Sequence, residues 1–234
     1  METLLKELAD IIEIGLTEKQ ISDFMNYKKM LIETNKYMNL TAIVEDKEVI
    51  LKHFIDSLTI NKYIGNNSSL IDVGTGAGFP GIPIKIIRDD VDVTLLDSLN
   101  KRLKFLNEVI KELGLKKIKT VHGRAEDLAH QVEFREKFDH VTARAVANLS
   151  TLAEFCLPFV KVGGCFICMK GTLSEELDEA KKAIDILGGE IVSVDRFLLP
   201  GTDIERNIVV IEKKKETANK YPRKAGTPAK EPIK

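Results

Sequence analysis

Asp72-Val73-Gly74-Thr75-Gly76-Ala77-Gly78-Phe79-Pro80-Gly81 follows a short apolar run, Ser69-Leu70-Ile71, and precedes Ile82, Ile84, Ile86 and Ile87 with Lys85 and Arg88. The apolar run has the form of a buried parallel strand. The glycines let the backbone turn sharply, with positive φ where a Cβ would clash. Pro80 and Pro83 fit the first turn of a helix, where N–H groups have no intrahelical partner. Strand, glycine loop and helix together make a nucleotide-binding βα unit. Its helix start offers free N–H donors, and its bare backbone can be approached closely.

Two ligands suit such a loop. Gly76-Ala77-Gly78-Phe79-Pro80-Gly81 matches G-x-G-x-x-G, and Asp97 stands 21 residues after Gly76, near the place of a dinucleotide's ribose-binding acid. The second register, Asp72-x-Gly74-x-Gly76-x-Gly78, sets an acid at the strand end before alternating glycines. That form is expected for S-adenosylmethionine, which carries no pyrophosphate. A carboxylate at 72 would hold that cofactor's ammonium, directly or through water, and would sit poorly beside a diphosphate. The methyl donor is preferred. A nicotinamide-dependent reductase of Rossmann type and a non-catalytic RNA-binding module are the competing classes.

The chain has 234 residues, 44% hydrophobic and 30% charged, with a net charge of −1. It can bury a core, and a site for a polyanion must be a local patch. No run of 18 apolar residues is present and no signal peptide opens the chain, so the expectation is a cytoplasmic protein with no membrane association. Cys156, Cys165 and Cys168 are then expected as reduced thiols. Cys165 and Cys168 fall three apart on one strand, point to opposite faces and cannot easily share a metal or a disulfide. No metal is expected, and a monomer is.

Residues 1–66 read as a small helical cap. Leu4, Leu5, Leu8, Ile11 and Ile12 have a helical period, and Thr17 with Gln20 forms a capping box. A third helix is expected over Lys47–Tyr63, where His53 and Ser57 share a face. That polar pair either ties the cap to the sheet or faces substrate. Residues 67–213 read as the cofactor-binding domain. Asp92–Asp97 is its second strand, and Asp97 is placed to accept both ribose hydroxyls, with Ser98 beside it. The helix Leu99–Leu113 has a stripe at Leu99, Leu103, Leu106, Ile110 and Leu113. Lys119–His122 is a third strand, followed by Gly123-Arg124-Ala125-Glu126, where Ala125 and Glu126 can read an adenine edge. Phe138–Ala145 is a fourth strand, with Arg144 at the cofactor border. Asn148–Phe155 is a helix, Lys161–Gly164 a turn, and Cys165–Lys170 a fifth strand with Lys170 facing the pocket. Helix Leu173–Leu187 carries Glu175, Glu176, Asp178 and Glu179 at its start. Glu190–Leu198 and Asn207–Glu212 close the sheet as a hairpin. The whole is an α/β, Rossmann-like class I methyltransferase fold, with a mostly parallel seven-stranded sheet.

Residues 214–234 read as a basic C-terminal arm. From Lys213 on there are eight basic residues against two acids. An extended arm of this kind can lie along a phosphate backbone, with Tyr221 free to stack on a base.

Taken together, Asn39-Leu40-Thr41-Ala42, His53-x-x-Asp56-Ser57-Leu58, the glycine loop, Gly123-Arg124-Ala125-Glu126, Arg144-Ala145, Lys170-Gly171 and Tyr221-Pro222-Arg223-Lys224-Ala225-Gly226-x-Pro228 resemble the RsmG (GidB) family. Those are bacterial guanine-N7 methyltransferases of small-subunit (16S) ribosomal RNA. One departure is Thr34, where the family often has Trp. The resemblance implies that Gly74, Phe79, Ala125, Glu126 and Arg144 contact S-adenosylmethionine, and that a guanosine of the small-subunit rRNA or 30S subunit is the target. The full cofactor set is then Asp72, Gly74, Gly76, Gly78, Phe79, Asp97, Ser98, Ala125, Glu126 and Arg144. The RNA-side candidates are His53, Arg124, Lys170, Arg206, Tyr221, Arg223 and Lys224. Guanine N7 has a lone pair and no proton, so no acid–base residue is expected. Arg144 and Lys170 are positioning candidates.

Overall fold

A computed structural model describes residues 1–144, 147–171, 173 and 176–233. In chain order, the elements begin with helices α1 (Glu2–Ile11) and α2 (Glu18–Met38). Thr17 Oγ1 accepts from Gln20 N while Gln20 Oε1 accepts from Thr17 N, so the capping box starts α2 as expected. The third helix is not regular: α3 (Asp46–Val49) runs into a π turn, Ile50–Ile55, then α4 (Asp56–Leu58) and a 3-10 turn, Asn61–Tyr63. Next come β1 (Ser69–Val73), α5 (Gly81–Ile87), β2 (Asp92–Asp97), α6 (Asn100–Glu112), β3 (Ile118–His122), α7 (Ala125–Leu128) and β4 (Phe138–Ala143). The chain ends with α8 (Leu149–Cys156), β5 (Val160–Lys170), α9 (Glu176–Ile186), β6 (Gly189–Leu198), β7 (Glu205–Lys213) and the short α10 (Thr227–Lys230).

The seven strands lie in the order β3-β2-β1-β4-β5-β7-β6. Only β7 is reversed; it pairs antiparallel with β5 and with β6. The direction of winding changes between β1 and β4, where ligands of doubly wound sheets bind. Alternate strand residues serve two separate cores. Leu70, Leu95, Ile167 and Ile208 pack with α1, α2, α5 and α6. Ile71, Leu96, Val141, Phe166 and Val209 pack with α8 and α9. The N-terminal helices therefore have no core of their own; Leu5, Phe24 and Tyr27 belong to the cluster that covers one sheet face. Cys165 packs on the first core and Cys168 in the second, on opposite faces as the strand period requires.

Three local expectations need correcting. Leu99 is not on the buried stripe of α6: it is the N-cap residue and is 43% exposed, while Phe105 and Val109 are buried in its place. Lys161–Gly164 is already part of β5, joined across a register shift between Phe138 and His140. The segment after β7 is not an extended arm. It folds back as a strap over α7 and α8, because Arg223 finds a buried acid. Glu154 is 0% exposed and receives Arg223 Nε at 2.9 Å and Nη2 at 2.7 Å. Pro222 O bonds His130 Nε2, Pro228 O accepts from Thr151 Oγ1, and Gly226 N donates to Glu126 Oε1. Tyr221 packs against the second core, so it is not free to stack on a base. Ala145, Glu175 and Lys234 lie outside the described residues.

Candidate active site

The carboxyl edge of the sheet carries two clefts. The first, about 290 Å³, is built on the ends of β1, β2 and β3. Val73, Gly74, Asp97, Ser98, Arg124, Ala125 and Glu126 line it, with Leu152 and Phe155 of α8 as its apolar wall. The second, about 310 Å³, is built on the ends of β4, β5 and β7, with Ile43, Lys52, His53, Asp56 and Thr59 on the helical side. Arg144, Lys170 and Arg206 give it a cationic lining.

The glycine loop divides its work. Gly74 has φ +73° and nothing within 4 Å of an added Cβ, so its missing side chain leaves open space at the first cleft. Gly76 N donates to Asp97 Oδ2 at 2.9 Å, tying the loop to β2. Gly78 faces the core instead: a Cβ there would meet Tyr27 Oη at 2.6 Å and Ile82 at 2.7 Å. Phe79 is also turned inward, only 5% exposed, with its ring stacked on His53 at 4.3 Å. Close packing under the loop takes the Cβ position of Gly78 and the Phe79 ring, so any contact of these two residues with cofactor is through their backbone.

Asp72 is fully buried. Its Oδ2 accepts from Thr75 Oγ1 at 2.6 Å and from Gly81 N at 2.9 Å, which braces the loop. Its Oδ1 is buried with no hydrogen-bond partner among the described residues. Burial pushes its carboxyl up to about 6, against the pull of those two hydrogen bonds. An orphaned carboxylate oxygen beneath a glycine loop suits an ammonium or a bridging water, so the residues present fit S-adenosylmethionine. Asp97, 2% exposed, accepts three hydrogen bonds: Gly76 N, Leu99 N at 2.9 Å and Arg102 Nη1 at 3.2 Å. Glu126 keeps Oε2 clear of the strap, which uses Oε1.

The π turn shapes the second cleft. The Lys52 carbonyl, His53 and Asp56 all bear on Arg144 from it and from the start of α4. Arg144 Nη2 meets His53 Nδ1 at 2.9 Å, and Nη1 meets Asp56 Oδ2 at 3.3 Å and Lys52 O at 3.0 Å. Its guanidinium lies 5.0 Å from the Phe79 ring centre. Arginine can only donate, so Nδ1 accepts and Nε2–H donates to Thr41 Oγ1 at 2.8 Å. Burial, and then the Arg144 charge, lower His53 to about 3, so it is neutral. His53 is 6% exposed with both ring nitrogens engaged, so at the wall of the second cleft it orients Arg144. Ser57 is turned inward to the His53 carbonyl, at 2.5 Å. Asn35 holds the backbone of Leu40 and Thr41, so the Asn39–Ala42 segment supports His53.

Asp56 also receives Arg206 Nε at 2.9 Å, so one buried acid orients two cations. Lys170 Nζ bonds Ala147 O at 2.9 Å and Glu176 Oε2 at 2.8 Å. Arg124 and Ser98 stand exposed at the rim of the first cleft, and Lys224 is exposed on the strap. Arg223 points inward to Glu154. Sequence reasoning passed over Asn207, a buried residue of the second cleft. Its signal was a polar side chain directly before the apolar run Ile208–Ile211. Among the described residues no group of three His, Cys, Asp or Glu could hold a metal, and no helix is long and apolar enough to cross a membrane.

A glycine loop after β1, acids ending β1 and β2, and a sheet with one reversed strand define the Rossmann-like methyltransferase fold. Solved structures sharing it include a precorrin-6y C5,15-methyltransferase from Geobacter metallireducens, with TM-score 0.51, 14% identity, and 68% of this chain and 87% of that one covered. Another is M. jannaschii TYW2 in complex with AdoMet, with TM-score 0.52, 17% identity, and 67% and 74% covered. The family model for rRNA small subunit methyltransferase G (GidB) matches residues 20–209, and the chain belongs to that family. It is 56% identical to the ribosomal RNA small subunit methyltransferase G of Acetivibrio thermocellus, with 100% of this chain and 97% of the relative covered. It is 54% identical to that of Clostridium tetani, with 99% and 98% covered. The resemblance carried by the motifs is thereby shown, and the chain is an rRNA methyltransferase.

Proposed function

We propose that the enzyme transfers the methyl group of S-adenosylmethionine to N7 of a guanosine in 16S ribosomal RNA, with cofactor in the first cleft and base in the second. The observation that carries this is the pairing of the two clefts on one sheet edge, one acidic and glycine-floored, the other cationic. The cofactor supplies a methyl on a sulfonium. Asp72 Oδ1 faces its ammonium, and Gly74 and Gly76 let it lie against the backbone. Asp97 takes the ribose. A carboxylate has about four acceptor sites, and three are used, so Arg102 gives way to admit both hydroxyls. Ala125 N–H and Glu126 Oε2 read the adenine.

Guanine N7 needs no base to expose its lone pair. The neutral His53, held at both nitrogens, agrees with a site that aligns rather than transfers protons. Arg144 and Lys170 hold the O6 edge or a phosphate and stand clear of the attacking nitrogen, where positive charge grows. The base leaves its stack first. The test is incubation of the protein with tritiated methyl donor and with small ribosomal subunits or naked 16S rRNA. Label is expected in RNA, released on digestion as 7-methylguanosine. RNA without label, as a reductase or a mere binding module would leave it, overturns the proposal.

A further inference from the structure

Asn207 is 1% exposed and lines the second cleft. It stands on β7 directly opposite Lys170 of β5, so the two side chains share a face as a cross-strand pair. Its Nδ2 donates to the Gly171 carbonyl. That bond fixes the amide's orientation, since turning it over would set two oxygens together. Oδ1 is left buried and accepts no hydrogen bond among the described residues. Such an acceptor is costly unless a ligand supplies a donor. Beside it, Lys170 spends two of its three N–H groups, on Ala147 O and Glu176. The wall of the cleft therefore presents one donor next to one unanswered acceptor.

We propose that this pair selects guanine as the base to be methylated: Asn207 Oδ1 accepts from the N1–H and N2 amino edge while Lys170 Nζ donates to O6. The inference rests on the second cleft being the base site. In the order β1-β4-β5-β7, Asn207 lies two strands beyond Arg144's strand, about 10 Å at about 4.8 Å per strand. That leaves room for one flat purine with N7 toward the β1–β4 boundary and its far edge at Asn207. With N7 fixed there, adenine would turn its N6 amine to the ammonium and its N1 lone pair to Oδ1, and both contacts are repulsive. Guanine satisfies both.

The test compares the full-length wild type, Asn207→Ala and Asn207→Asp for kcat/KM with unmodified small-subunit rRNA. Affinity for S-adenosylhomocysteine and thermal melting are measured on the same samples. Alanine removes both the acceptor and the bond to Gly171; aspartate keeps the acceptor but sets a carboxylate oxygen against the Gly171 carbonyl, a cost that the melting measurement reads separately. Expected is a loss of roughly tenfold to a hundredfold in the alanine variant, with cofactor affinity unchanged, and recovery of most of it in the aspartate variant. Full activity in Asn207→Ala, or an equal loss in both variants, overturns the assignment. A second measurement needs no variant. The Asn207 side-chain amide signal of the wild type, saturated with S-adenosylhomocysteine, should shift on titration with guanosine 5′-monophosphate and not with adenosine 5′-monophosphate. An equal response to both, or none to either, also overturns it. A wild type that labels no RNA would instead sink the proposed function.

Discussion

At the scale of single residues, Asp72 sets the terms for the cofactor cleft. Burial lifts its carboxyl to about 6, well above the ordinary carboxylate range. A carboxyl raised in this way binds its proton better in the folded chain. Its contribution to stability is therefore full below about pH 4 and is lost as pH rises through about 6. At neutral pH the ligand-free enzyme carries a buried charge with one unanswered oxygen, a cost that a bound ammonium would offset. Asp72→Asn keeps an acceptor for Thr75 and Gly81 and puts an uncharged amide where Oδ1 stood. The variant's melting temperature, relative to wild type, should rise between pH 4 and pH 7. Its affinity for S-adenosylmethionine should fall by roughly tenfold or more, the worth of a charge-assisted hydrogen bond. Differential scanning fluorimetry across pH and calorimetric titration read the two effects. A variant with lower stability at pH 8 and unchanged affinity would show that Asp72 serves only the loop.

At the scale of elements, the C-terminal strap is pinned at its middle by a buried ion pair. Arg223 is partly exposed, but Glu154 is not exposed at all. Arg223→Ala would strand a buried carboxylate, at a cost of about 3–5 kcal/mol. In a chain of this size that corresponds to a melting temperature lower by about 10 °C. A second change, Glu154→Gln, removes the stranded charge and should restore part of the loss; a single variant that melts like wild type would refute the strap's structural role. The strap also marks the limit of what the chain's sequence reveals. The βα unit at Asp72–Gly81 was legible because glycine, proline and acid positions are dictated locally by backbone geometry. The hairpin at β6 and β7 was legible because the apolar run Ile208–Ile211 and the turn residues Pro200-Gly201 are local too. The basic, proline-containing tail looked extended because its partner, Glu154, lies 69 residues away in an apolar helix. The π turn was hidden for a similar reason: Ile50–Ile55 has ordinary helical composition, and what it serves is Arg144, a residue 91 positions from His53. Of the site, the motif acids and glycines could be read, whereas the division into cleft-facing Gly74 and core-facing Gly78 depends on Tyr27 and Leu106, distant in the chain.

At the scale of the whole molecule, a net charge of −1 means that RNA affinity must come from charge separated onto one surface. Much of the positive charge near the clefts is already paired internally: Arg144 and Arg206 with Asp56, Lys170 with Glu176, and Arg223 with Glu154. These pairs orient the cations and keep them desolvated, so they serve recognition of one base more than long-range attraction. The freely solvated charge of the strap is different. Lys220, Lys224 and Lys230 are exposed along it, and the strap is anchored to α7 and α8, beside the first cleft. Deleting the strap would remove this charge and its fold together, so charge must be altered without the fold. Replacing the three lysines by glutamine should leave melting nearly unchanged, as exposed substitutions usually do, within about 0.5 kcal/mol. RNA binding should weaken, and the slope of log affinity against log salt should fall in magnitude by about 2, at about 0.7 per lost single-strand phosphate contact. Filter binding of 16S rRNA at several salt concentrations measures that slope. An unaltered slope in the triple variant would mean that the strap's outer face meets no phosphate, and that attraction comes from the lysines around α6 or the rim at Arg124.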